Sequence, residues 1–210
     1  MKQHLTAFVV LGILVGTAGA AQAQKLDLFA GYSFENDDIP GAPAGLHGYN
    51  FAATWNFNPN VGIEANFAGH QGNSILQFQS NPAGAIIDKH DIRSYVVGPK
   101  LTRVIGPGNK FAAYMHFMVG GMRVHDSRQY SGWYGTLGTS ASGTGVGFVA
   151  GFGLDWNHSV WGLRILETDY SSGSNITTSY RCGANCTLYQ KSSQSDFRIA
   201  SGLIWRFGKK

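Results

Sequence analysis

From Lys25 onward the chain alternates with a period of two, which places successive side chains on opposite faces of an extended strand. The final stretch shows this best. Phe197, Ile199, Ser201, Leu203, Trp205 and Phe207 share one face, while Asp196, Arg198, Ala200, Gly202, Ile204 and Arg206 share the other. The same division separates Tyr49, Phe51, Ala53, Trp55 and Phe57 from Gly48, Asn50, Ala52, Thr54 and Asn56. It also separates Val146, Phe148, Ala150, Phe152, Leu154 and Trp156 from Gly147, Val149, Gly151, Gly153 and Asp155. A helix-period pattern does not hold still on such a sequence, so an all-β chain is expected.

Segments of this kind are predicted at about residues 26–34, 46–57, 61–70, 91–104, 111–124, 144–156, 160–170 and 196–207. Each is near the ~9–11 residues that a tilted strand needs to cross a bilayer. Between 160 and 170, Trp161, Leu163 and Ile165 share a face that Glu167 and Asp169 would continue, so either a bulge or an exit from the apolar zone is expected near Leu166. The connections alternate strictly in length along the chain, every second one being tiny. The short ones, such as Asn58-Pro59-Asn60 and Gly106-Pro107-Gly108-Asn109, consist of turn formers, and the long ones are polar and rich in Gly and Ser. Short turns at one end and long loops at the other, with an even strand count, specify an eight-stranded antiparallel up-and-down transmembrane β-barrel.

Trp55, Trp156, Trp161 and Trp205, with Phe57, Phe111 and Phe207, fall on the apolar face beside the short turns. Bulky rings clustered there would choke the calyx of a soluble lipocalin-like carrier, whereas an aromatic girdle suits a membrane interface. Tyr32, Phe34 and Tyr49 are candidates for the opposite girdle. The apolar face therefore points to lipid and the polar face to a lumen that eight strands leave just wide enough for side chains to fill. Into it point Asp27, Glu64, Lys100, His116, Asp155, Arg164, Arg198 and Arg206. Opposite charges must pair there, because an unpaired buried charge carries a large desolvation penalty. Glu64 is expected with Arg164 or Arg198, and Asp155 with Lys100 or Arg206.

Residues 1–23 read as a signal peptide, with Lys2, an apolar run from Leu5 to Val15 and a small-x-small end at Ala21-Gln22-Ala23. Residues 24–210 then form one exported barrel domain. Cys182 and Cys186 are expected to close a small disulfide loop in an oxidising compartment. A net charge of +4, with no basic run longer than Lys209-Lys210, leaves nucleic-acid binding unsupported.

The closing strand, Phe197-Arg198-Ile199-Ala200-Ser201-Gly202-Leu203-Ile204-Trp205-Arg206-Phe207-Gly208, resembles that of small OmpA-like outer-membrane β-barrel proteins. Asp27-Leu28-Phe29-Ala30-Gly31-Tyr32-Ser33 is similar to their first strand. The resemblance implies insertion by the outer-membrane barrel-assembly machinery, contact with outer-membrane lipid and lipopolysaccharide, and residence in the outer membrane of a Gram-negative-type bacterium.

The expected role is structural or surface-interactive, through loops that carry Tyr130, Trp133 and Tyr134 toward a ligand the sequence does not identify. No catalysis and no cofactor are expected. The alternatives are a lipid A-modifying hydrolase and a narrow channel for small solutes. For the first, the candidates are His125 and Ser127, which share a face and are loosely similar to the His-x-Ser of outer-membrane lipid A deacylases. A base must reach its nucleophile and be oriented by a third group. For a metal, the candidates are His70 and His90, on the inward face of adjacent strands, although zinc wants three or four ligands.

Overall fold

The computed structural model describes residues 25–37, 45–78, 84–132, 135–183 and 186–208. Eight strands, β1 (Lys25–Asp37), β2 (Leu46–Asn56), β3 (Val61–Phe78), β4 (Gly84–Ile105), β5 (Phe111–Gly132), β6 (Gly135–His158), β7 (Trp161–Gly183) and β8 (Cys186–Phe207), pair antiparallel in sequence order. β1 also pairs with β8, so the barrel closes without an edge. This is the fold class expected from the alternation. Gly106 and Gly108, at φ of 80° and 66°, supply the left-handed positions that the β4–β5 turn requires. The signal-peptide segment, Trp133 and Tyr134, and the side chains of Tyr130, Cys182 and Cys186 lie outside the described residues.

Alternation becomes two surfaces. Phe51, Phe67, Tyr95, Val119, Phe148, Phe152, Ile199 and Leu203 stand exposed on the outer wall, while Asn50, Glu64, His116, Arg164 and Arg198 are buried within. A soluble protein rarely exposes so much contiguous apolar surface. Trp55, Phe57, Trp161, Trp205 and Phe207 ring the turn end of that belt, and Trp156 meets Trp161 edge-on at 5.4 Å between ring centroids.

The strands are longer than the periodicity indicates. The stretches read as loops at 71–90, 125–143 and 171–195 are largely ladder, so β3 through β8 run to 18–24 residues. The reason is cooperative. Once the belt has set the register, each further pair extends an existing hydrogen-bond ladder and needs no hydrophobic contrast between faces.

The irregularity anticipated in β7 is present. Its register against β8 shifts between Arg164 and Glu167, where Ile165 and Leu166 both face outward. The extra residue turns Glu167 and Asp169 into the lumen, where both are fully buried.

Candidate functional site

The middle of the lumen is an ionic cluster to which all eight strands contribute. Glu64 of β3 accepts from Lys100 of β4 at 2.6 Å, from Thr54 of β2 at 2.7 Å and from His116 Nδ1 of β5 at 3.0 Å. His116 Nε2 reaches across to Asp169 of β7 at 2.8 Å. Asp169 is clasped by Arg198 of β8, whose Nη1 touches Asn66 at 3.5 Å. Arg164 of β7 binds Glu167, lies 3.1 Å from Asp155 of β6 and comes within 4.0 Å of Glu64. Tyr114 and Asn50 each donate to Glu167 at 2.6 Å. The Arg164 guanidinium also stacks over Phe29 of β1 at 4.1 Å and over Tyr114 at 4.6 Å.

Because both ring nitrogens of His116 face carboxylate oxygens, which only accept, both must carry a proton. The cluster then balances four carboxylates (Glu64, Asp155, Glu167, Asp169) against Lys100, Arg164, Arg198 and the His116 imidazolium. Gly151 makes this closure fit: a Cβ there would lie 1.8 Å from Asp169 Oδ1.

The pairings differ from expectation in an instructive way. Asp155 pairs with Arg164, its cross-strand partner, and not with Lys100 or Arg206. Glu64 is met chiefly by Lys100 and His116, with Arg164 at the edge of range, and Arg198 goes instead to Asp169 and Glu167. Arg206 sits lower, 3.7 Å from Asp27 and 2.5 Å from Asn157. Strict alternation assigned Glu167 and Asp169 to the outer face, so the two carboxylates that draw the arginines were missing. The irregular pattern around Leu166 was the signal that could have recovered them.

Above the cluster, Ser33 Oγ lies 2.6 Å from His70 Nε2, and His70 Nδ1 lies 2.5 Å from Glu35, which also accepts from Ser171 at 3.1 Å. A hydroxyl, imidazole and carboxylate in line is the geometry that activates a serine. Here Ser33 is fully buried, and an apolar layer of Leu46, Ile92, Met122, Val124 and Ile176 fills the same end of the lumen. His90 bonds Asp126 on β5. Thus His70 and His90 are drawn to different carboxylates and do not converge. The trio whose ligand atoms do converge, within 4.8 Å, is Glu64, His116 and Glu167, whose oxygens and nitrogens already hold Lys100, Arg164 and Asp169. His125 and Ser127 lie on the outer face, opposite Asp91 and Lys89, with no hydrogen bond between their side chains.

The chain's structure is similar to the crystal structure of Ail, the attachment invasion locus protein of Yersinia pestis. The TM-score is 0.53 and the identity 15%, covering 90% of this chain and 100% of that one. It is also similar to the outer membrane protease OmpT from Escherichia coli, with TM-score 0.51 and 9% identity over 91% and 100% of the two chains. At these identities the likeness is one of fold, that of a bacterial outer-membrane β-barrel. No protein-family model and no curated protein matches the sequence.

Proposed function

We propose that this chain is an outer-membrane protein whose barrel is sealed and whose work is done by the hairpins that rise from it. Residues 1–23 direct export, and the barrel-assembly machinery inserts the rest, in keeping with the OmpA-like closing strand. The observation that carries this reading is the central cluster, in which Arg164 and Arg198 are each about 1% exposed, Arg164 of β7 comes within 4.0 Å of Glu64 on β3, and His116 joins Glu64 to Asp169 of β7 across the lumen. A lumen filled with paired charges supports neither a solute path nor a water-filled active site, while the polar extensions of β3 to β8 support presentation of surface to a partner. No catalysis is assigned, since His125 and Ser127 are not hydrogen-bonded to each other and Ser33 has no open space beside it.

Two measurements test this. An epitope inserted between Gly132 and Gly135 is expected to bind antibody on intact cells; detection only after permeabilisation would reverse the orientation. The purified barrel in a planar bilayer is expected to pass no steady current, and stepwise single-channel openings would make the narrow-channel reading the better one.

A further inference from the structure

On the outer wall, Arg93 of β4 and Arg123 of β5 are direct cross-strand partners, and both are exposed. Like charges placed opposite one another on one face of an antiparallel pair are destabilising. Asp91 offsets Arg93, at 3.0 Å from Nε and 3.1 Å from Nη2, and also accepts from Gln71 at 3.1 Å. Arg123 has no ion-pair partner among the described residues. Lys89 is exposed one outward position above Asp91, and His125 lies opposite Asp91. The patch is therefore net positive, with two arginines directly opposite one another on neighbouring strands.

Its height is informative. From Leu101, near the turn end, to Arg93 the strand climbs about 20 Å at ~3.3 Å per residue and ~40° of tilt. That is the far edge of an apolar belt of ~25 Å, where lipid headgroups begin. Directly beneath the arginines, on the same strands, the outer wall holds an almost wholly apolar groove of about 910 Å³. Its walls are Phe51, Phe67 and Tyr95, and its floor is made by Ala53 and Ala65. The Tyr95 ring leans over β5, so that a Cβ on Gly121 would lie 2.1 Å from it. The groove runs from Trp205 on β8 across β1 to β5, an arc of about 24 Å at ~4.8 Å between strands.

We propose that this face is a binding site for one phosphorylated, multi-chain glycolipid of the lipid A type. The phosphate sits between Arg93 and Arg123, which removes their mutual repulsion through charge-assisted hydrogen bonds, and the acyl chains lie along Ala53 and Ala65. The width suits several chains side by side, more than the two of a phospholipid, and the arginines sit at the hairpin end of the belt, where the outer leaflet lies. The inference rests on the outer-membrane reading above.

The test is native mass spectrometry of the folded barrel released from detergent micelles containing bisphosphoryl lipid A, its dephosphorylated form or phosphatidylglycerol. The barrel is expected to retain one bisphosphoryl lipid A. Arg93→Gln with Arg123→Gln, and separately Ala53→Trp with Ala65→Trp, are each expected to reduce retention by about tenfold. These outward substitutions leave heat-modifiable gel migration unchanged, which checks that the variants are folded. Equal retention by the variants, equal retention of the dephosphorylated lipid, or preference for phosphatidylglycerol would overturn the proposal. Recovery of the chain outside the outer membrane on fractionation would sink the location reading instead, whatever the micelle result.

Discussion

β6 crosses two environments, and its halves differ accordingly. From Val146 to Trp156 every second residue is apolar and outward, all but Ala150 of them large, and the alternate residues are Gly, Val149 and Asp155 facing the lumen. From Gly135 to Gly143 the strand reads Gly-Thr-Leu-Gly-Thr-Ser-Ala-Ser-Gly, with little contrast between faces, yet it pairs residue for residue with β5 up to Gly132↔Gly135. The lower half is held by side chains: lipid-facing rings outside and satisfied ions inside. The upper half is held by main-chain hydrogen bonds in a register inherited from below. Strand formation and stability are thus separate questions in one strand, and the upper half is expected to be the part free to change.

The largest expected effect is at the centre. His116→Leu leaves Glu64 and Asp169 without the cation between them and is expected to destabilise the barrel by about 3–5 kcal/mol, read as a lower urea midpoint for the heat-modifiable transition in lipid vesicles. A shift under about 1 kcal/mol would mean that the lower half does not depend on its ions. Next comes the belt. Phe152→Arg puts a charge on the lipid face and is expected to cost about 2–4 kcal/mol in the same assay. No change would place Phe152 away from lipid and break the distinction between the faces.

A smaller effect is expected from Ser33→Ala, at about 1 kcal/mol for the lost buried hydrogen bond to His70. The parent protein is expected to resist labelling by a fluorophosphonate. Labelling that disappears in the variant would instead make Ser33 a nucleophile. The smallest change is expected from replacing residues 129–138 with an Asn-Gly turn between Arg128 and Thr139, which are cross-strand partners. Assembly and midpoint should move by no more than about 0.5 kcal/mol, and a failure to assemble would show that the upper ladder supports the belt.

Most of the barrel was legible in the chain because membrane and lumen impose opposite demands on adjacent residues. Trp55, Phe148, Leu203 and Arg198 reveal their faces by position alone. The extensions of β3 to β8 were not, since polar Gly/Ser sequence is compatible with either loop or ladder, and only pairing to a neighbour already in register selects the ladder. The candidate site divides in the same way. Glu64, Lys100, His116, Asp155, Arg164 and Arg198 could be assigned to the lumen one strand at a time.

Their partners could not be assigned. Pairing across a closed barrel depends on shear and on which residues share a level, and neither is written within a single strand. A one-residue bulge at Ile165-Leu166 reversed the faces of Glu167 and Asp169 and so redirected both arginines. The sequence by itself determined an eight-stranded barrel with an apolar wall and a charged interior, because alternation is local and each strand declares its own faces. The tertiary structure alone decided that the interior charges pair around His116, that Ser33, His70 and Glu35 align, and that Arg93 stands beside Arg123. Those are contacts between residues far apart in the chain, made only when the ring closes in one register.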